Sequence, residues 1–311
     1  MIMPPPLHSR SRIRIPVPAS PVRQPFLDSG LNTLAQQRWS VEIPERGFAT
    51  LFYCAGPDDE RATDVIDALR DNTADAVWFA RGGYGSGRLL PFLDKAFPQP
   101  PERPKILVGC SDITFLLLYA LQRWQWVVFH GPMVAGDLAR EGYADVEYLV
   151  SLLSGRPVRA EVSATPLEVL QDGPVVRAPL TGGCLSVVAS TLATPYEIDT
   201  AGKILFLEDA FEKPYRVDRL LTQLRQSGKL AQCAGIVFGE MMSCVQHPDQ
   251  RYSIQEALKF AVRGVTCPIL FGLASGHTSV PSLTLALGAD YRLDPTARQL
   301  FLEDQRLCPS D

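Results

Sequence analysis

A hydroxyl on a rigid corner stands near the middle of the chain. Residues 105–121 read KILVGCSDITFLLLYAL. The aliphatic run 106–108 stops at Gly109, Ser111 follows, and residues 113–121 are apolar at a length suited to a buried helix. A strand that turns sharply into a helix exposes a serine and sets backbone N–H groups of the new helix beside it. That is an arrangement for nucleophilic attack with stabilisation of the resulting oxyanion. Helix capping is the competing use of Ser111. Cys110 is the rival nucleophile, because a thiol is intrinsically more reactive. A small apolar residue at a strand end is the preferred reading of Cys110.

A serine needs a base, and the chain has 4 histidines. His8 lies in the proline- and arginine-rich start, and His247 in a polar loop suited to the surface. His130 ends a buried strand, where a structural, hydrogen-bonded role weighs as much as a functional one. His277, between Gly276 and Thr278 after an apolar strand, can reach into a cleft. The base needs an orienting acid. Glu208 ends the run ILFLE, where an ionised group requires a partner. Asp209 is adjacent, and strand alternation turns the two in opposite directions. An ion pair with Arg216 or Arg219 would satisfy Glu208 without catalysis. The loop RGGYGSGR, residues 81–88, matches neither phosphate-binding glycine pattern. Its glycines let backbone approach another group closely, as an oxyanion donor must.

Strands and helices alternate through the first half. A strand is expected over 13–17, weakened by Pro16 and Pro18 and suited to an edge. A helix follows within 26–38, then a strand over 49–54. Pro57 opens the next helix, with Asp58, Asp59 and Glu60 at its positive end and Ala62, Val65, Ile66 and Leu69 on one face. A buried strand over 75–80 runs into the glycine-rich loop. A helix carries Leu89, Leu90 and Leu93, and beyond the serine corner come a strand over 126–129 and a helix over 143–153. This rhythm implies a parallel sheet covered by helices, with ligands beyond the carboxyl ends of the strands. Residues 154–175 change to short apolar pieces punctuated by Gly, Pro, Ser and Thr. The expected division is therefore 1–155, a linker 156–175, and 176–311. In the second part strands are expected over 203–207, 234–238 and 268–273, with helices from Pro214 and over 254–262.

Composition narrows the function. The 311 residues suffice for two domains, and a net charge of −4 gives no basic footprint for nucleic acid. No apolar run is long enough to span a bilayer, and the start lacks a secretory core. The first dozen residues are expected to be disordered. The 7 cysteines are odd in number and scattered, which argues for reduced thiols and a cytoplasmic location. No metal-ligand spacing is visible.

Six segments in this order and spacing, RGGYGSGRLLPFLD, GCSDITFLLL, HGPM, LTGGCLS, ILFLEDAFEKPYRVDRLL and SGHTS, resemble the LD-carboxypeptidase family of serine peptidases. The family includes murein tetrapeptide carboxypeptidases and microcin C immunity peptidases, and the resemblance runs from about Ala55 to Asp294. It implies a flavodoxin-like N-terminal α/β domain and a smaller β-rich C-terminal domain, often in a homodimer. It implies a triad of Ser111, Glu208 and His277, an oxyanion hole from the N–H groups of Asp112 and Gly83, and no cofactor or metal. The implied reaction removes the terminal D-alanine of a murein tetrapeptide. Arg81 and Tyr84 are assigned to substrate binding; for the free carboxylate, which suits a guanidinium, Arg81, Arg88 and Arg216 are all available. The chain departs from the family pattern at the proline-broken first strand, at Cys184 in place of asparagine, at Ala193 and at Ala286. Rival readings are a microcin-type peptidase acting on peptidyl or aminoacyl nucleotides, and a non-catalytic peptide- or phosphate-binding protein. An α/β-hydrolase esterase is disfavoured because the corner reads G-C-S-D, with no glycine after the serine.

Overall fold

Two sheets carry the chain in a computed structural model that describes residues 1–44, 48–247, 249 and 251–307. In the first, β1 (Arg12–Arg14), β2 (Ser40–Glu42), β3 (Ala76–Trp78), β4 (Ile106–Gly109) and β5 (Val128–His130) are parallel, in the order β2-β1-β3-β4-β5. That is the flavodoxin-like doubly wound order. The helices between and after them are α1 (Gln24–Ala35), α2 (Asp58–Arg70), α3 (Leu90–Ala96), α4 (Thr114–Arg123) and α5 (Val146–Leu153). Strands β3, β4 and β5 are buried along their whole length, and their residues are apolar without alternation except His130 at the end of β5.

The second sheet is mixed. Its strands are β6 (Glu168–Gln171), β7 (Val176–Cys184), β8 (Ile204–Glu208), β9 (Gly235–Gly239), β10 (Ile269–Leu273), β12 (Asp290–Asp294) and β13 (Gln299–Leu302). They lie in the order β13-β12-β7-β8-β9-β10-β6. Strands β7 to β10 are parallel, with α6 (Leu185–Ser190), α7 (Pro214–Gln226) and α8 (Ile254–Ala261) on the connections. The flanking strands pair antiparallel. Strand β11 (Leu285–Leu287) leaves this half and pairs antiparallel with β5, closing the first sheet. The α/β class with a flavodoxin-like first part and a second, strand-rich part is borne out.

Several local expectations are corrected. Strand β1 is internal, between β2 and β3, because Pro16 and Pro18 fall beyond the three residues that pair. Residues 49–54 form no strand. Leu51 and Cys54 exchange backbone hydrogen bonds of 2.9 and 3.0 Å around a turn at Phe52, whose φ is +54°. The first dozen residues are placed against the core: the N–H of Leu7 donates to the Leu153 carbonyl at 2.8 Å, and Ile2 bridges Trp126. The prolines there bring no donors to be satisfied, so Leu7 can be buried at little polar cost.

Candidate active site

Ser111 sits at the end of β4, in a single 3-10 turn that leads into α4. Its φ is +58°, a left-handed conformation that a residue with a side chain adopts only under constraint. The constraint is visible on both sides. Gly109 has no room for a Cβ, which would lie 2.6 Å from Ile113. Behind the corner α4 is fixed by an almost entirely apolar, buried surface from Leu116 to Leu121.

The glycine-rich loop lies against this corner. A Cβ at Gly82 would stand 2.9 Å from Ser111 Cβ, 3.1 Å from its Oγ and 3.4 Å from the Asp112 nitrogen. Gly82 is therefore the residue whose bareness admits the serine. Gly83, at φ +107°, turns the side a Cβ would occupy toward Ser20. Ser86 ties loop to corner twice: its N–H donates to Asp112 Oδ2 at 2.8 Å and its Oγ to the Asp112 carbonyl at 2.6 Å. Ser20 holds the other end, donating its N–H to the Gly82 carbonyl at 3.2 Å and accepting from the Tyr84 N–H at 3.2 Å. The buried Arg61 guanidinium donates to the carbonyls of Pro18, Gly56 and Gly85 and pairs with Asp58. Ser20, Arg61, Gly82 and Ser86 were not singled out from the sequence. The S-G-R after the tyrosine was the available sign for Ser86, but a serine three residues past a glycine pair has no pattern of its own.

Glu208, the last residue of β8, and His277, in the loop after β10, meet across the end of the intervening strand β9. Glu208 Oε2 accepts from the His277 backbone N–H at 3.0 Å and from Nδ1 at 2.8 Å. Two glycines make the contact possible. A side chain at Gly276 (φ +80°) would overlap the Glu208 carboxylate, and one at Gly239 would lie 2.6 Å from Glu208 Cβ. The histidine loop is pinned beyond the ring, where Ser279 donates its N–H and Oγ to Glu240 Oε2 at 2.8 and 2.6 Å. Asp209 turns the other way, accepting from the Ser186 N–H at 2.8 Å. Arg216 pairs with Glu212 and Arg219 lies over Tyr215, so neither supplies the counter-charge to Glu208.

Electrostatics follow from this packing. Burial by itself disfavours the Glu208 carboxylate, but the charge and hydrogen bonds of His277 outweigh it and hold its pKa below the ordinary value. Burial likewise disfavours the His277 cation, yet Glu208 raises the imidazole to about 9, with smaller help from Asp137 and Asp209. Cys110 is buried, and its thiol is pushed well above its usual range, chiefly by burial and then by Asp137 and Glu208. It is therefore a poor nucleophile. Its Sγ lies 4.0 Å from Asp137 Oδ2. The residue next to Ser111 thus faces Asp137, one of the carboxylates whose charge favours the His277 cation.

The two halves are stitched together beside the corner. The Cys184 N–H, at the end of β7, donates to Thr114 Oγ1 at 3.2 Å, and Cys184 is in register with Glu208. A cavity of about 660 Å³ opens between the halves, lined by Gly83, Tyr84, Asp112, Phe115, Val187 and Tyr196 among others. Tyr84 stands edge-on to Tyr53 at 5.1 Å, and Arg81 donates to the Pro21 carbonyl at 2.7 Å. The other histidines fall elsewhere: His8 and His247 are on the surface, His247 beside Asp249. His130 is fully buried on the far side of Glu208. The six cysteines among the described residues are free. Among the described residues, no helix is long and apolar enough to cross a membrane.

Comparison with known proteins agrees along the chain. Residues 13–131 match the LD-carboxypeptidase N-terminal domain and residues 177–293 the LD-carboxypeptidase C-terminal domain. A probable murein peptide carboxypeptidase of Bacillus subtilis is 36% identical over 304 residues, covering 96% of this chain and 93% of that protein. The murein tetrapeptide carboxypeptidase of Pseudomonas aeruginosa is 30% identical, covering 95% and 94%. Among solved structures, the microcin C7 self-immunity protein in complex with aspartyl sulfamoyl adenosine superposes with a TM-score of 0.89 at 21% identity, covering 99% of this chain and 100% of that one. At that identity the likeness is one of fold.

Proposed function

The chain belongs to the LD-carboxypeptidase family and is a carboxypeptidase-type hydrolase, and from that premise we propose a serine peptidase that releases the terminal D-alanine of a murein tetrapeptide. The observation that carries this reading is the Glu208–His277 pair. A buried carboxylate grips Nδ1 and the backbone N–H of one histidine at 2.8 and 3.0 Å, leaving Nε2 for a substrate-side proton. A base held in this way can serve a hydroxyl, and the left-handed Ser111 at the corner after β4 is the hydroxyl this reading assigns to it.

In the proposed reaction His277 Nε2 removes the Ser111 proton as Oγ attacks the carbonyl carbon of the L,D amide. Glu208 keeps Nδ1 protonated and stabilises the imidazolium. The N–H groups of Asp112 and Gly83 receive the oxyanion, helped by the clamp from Ser86 that fixes loop and corner together. His277 returns the proton to the departing D-alanine nitrogen, and water, deprotonated by the same imidazole, then releases the acyl group. Arg81 and Tyr84 are proposed to meet the substrate, Arg81 through its carboxylate. Residues 1–155 bring the nucleophile, and residues 176–311 the acid and base, as two domains joined by 156–175. The odd number of cysteines, with the six among the described residues free, favours a cytoplasmic protein, and the family resemblance a homodimer.

A second reading is favoured by the fold match to the microcin C7 self-immunity protein: cleavage of a peptidyl or aminoacyl nucleotide by the same triad. The two separate in one assay. Wild-type protein is given murein tetrapeptide and an aminoacyl sulfamoyl adenosine at equal concentration, and released D-alanine and free amino acid are quantified. The peptidase of murein is expected to favour the tetrapeptide by at least about tenfold in kcat/KM. Preference for the nucleotide would replace the first reading with the second.

A further inference from the structure

His130 is buried beside the triad acid and has no part in the reaction just described. It ends β5, its backbone in register with Gly109 of β4 and Leu285 of β11. Its ring crosses to the second half and stands edge-on to Phe206 of β8, with centroids 5.3 Å apart at 72°. Nε2 lies 4.0 Å from Glu208 Oε1. Neither ring nitrogen of His130 has a hydrogen-bond partner among the described residues, and neither does Glu208 Oε1. The two oxygens of Glu208 are therefore unlike: Oε2 takes both bonds from His277, and Oε1 faces His130. An aliphatic or phenyl side chain would fill this fully buried space without stranding two polar nitrogens.

We propose that His130 is a positioning residue for the triad: a neutral imidazole whose Nε2–H points at Glu208 Oε1, setting the rotation of the carboxylate and drawing off part of its charge. The inference rests on reading Glu208 and His277 as acid and base. At 4.0 Å the interaction is one of dipole and charge rather than a hydrogen bond, and burial strengthens it. Neutrality follows from the surroundings, since burial lowers the His130 pKa to about 4 despite the nearby carboxylate. The other groups facing the pair act from different sides. Asp137, beyond β5, and Asp209, at the end of β8, both favour the His277 cation. The thiols of Cys110 and Cys184 are kept protonated by burial. Glu240 is engaged by Ser279 on the outer side of the loop. Across the sheet interface it is His130 Nε2 that stands 4.0 Å from Oε1. Its role is to moderate how tightly Glu208 holds the His277 proton, so that the imidazole can return to its free-base form.

The test is nitrogen-15 NMR of the full-length protein labelled at histidine, for wild type, His130→Gln and His130→Leu. Glutamine keeps an N–H near the position of Nε2, and leucine removes it. In wild type, His130 is expected to stay neutral with the proton on Nε2 from about pH 5 to about pH 9. The His277 titration midpoint is expected to rise by at least about half a unit in His130→Leu and to stay near wild type in His130→Gln. A wild-type His130 protonated on Nδ1 alone would overturn the proposal, and so would an unmoved His277 midpoint in a folded His130→Leu. Should the leucine variant not fold, the wild-type tautomer decides. These spectra need no substrate, so their outcome is independent of whether the chain proves to be a peptidase.

Discussion

Ser111 is where local cost and function are most closely joined. A left-handed serine costs roughly 1–2 kcal/mol relative to an ordinary backbone conformation, which glycine would not incur. Ser111→Gly is therefore expected to lose activity while raising stability by up to about 1 kcal/mol, the entropy of glycine offsetting part of the relief. Urea unfolding of the two proteins measures it, and a variant clearly less stable than wild type would contradict the strain. From the sequence, Ser111, Glu208 and His277 were candidates because each follows an apolar run, a place where a polar residue needs a reason; Asp209 and His130 shared that property, and the resemblance to the LD-carboxypeptidase family chose among them. Gly82 and Gly276 could not be weighed that way. A glycine's role depends on what approaches it, and the Ser111 hydroxyl and the Glu208 carboxylate arrive there from 29 and 68 positions away.

At the scale of elements, the site depends on loops held at both ends. The loop after β10 carries His277 and is fastened by Glu240, which follows β9 and takes both the N–H and the hydroxyl of Ser279. Glu240→Ala removes these bonds at a partly exposed position, so global stability is expected to change by less than about 1 kcal/mol. Turnover is expected to fall by about tenfold or more, because a displaced imidazole loses its alignment. Thermal unfolding and kcat measured on one preparation check both halves. Unchanged kcat would show that the Glu208 bonds alone hold the loop. Strands β3 to β5 were legible as apolar runs, and α4 as a buried helix. The turn at 49–54 was not. Its LFYC composition favours a strand, and only the cross-turn pair of Leu51 and Cys54 reveals otherwise.

Across the whole molecule the titrating groups predict the working pH. The His277 pKa is raised from 6.5 to about 9, so the free enzyme holds the imidazolium at neutral pH and the base form grows as pH rises. The kcat/KM of D-alanine release is therefore expected to climb through the neutral range, reach half its plateau near pH 9 and level off above it. A profile already flat at neutral pH would contradict the coupling of His277 to Glu208. Stability runs the other way for this group. A raised folded pKa contributes stability fully present below 6.5 and lost as pH rises through about 9. Glu208 is depressed, so its share is present above 4.5 and lost as pH falls through its lower folded value. These two describe one interaction and are counted once. His130, buried and neutral, adds an acid-side loss. Its contribution is whole above 6.5 and disappears toward about 4. The joining of the halves was the least legible feature. Strand β11 lies in the C-terminal sequence yet completes the first sheet beside β5, and no periodicity in residues 285–287 announces that partner.

The central claim is that the Ser111 hydroxyl forms the bond to the substrate carbonyl. The most direct measurement is kcat for D-alanine release from murein tetrapeptide by Ser111→Ala beside wild type, with circular dichroism confirming that both are folded. A fall of at least about 10³-fold is predicted. A variant that turns over within tenfold of wild type would contradict the account.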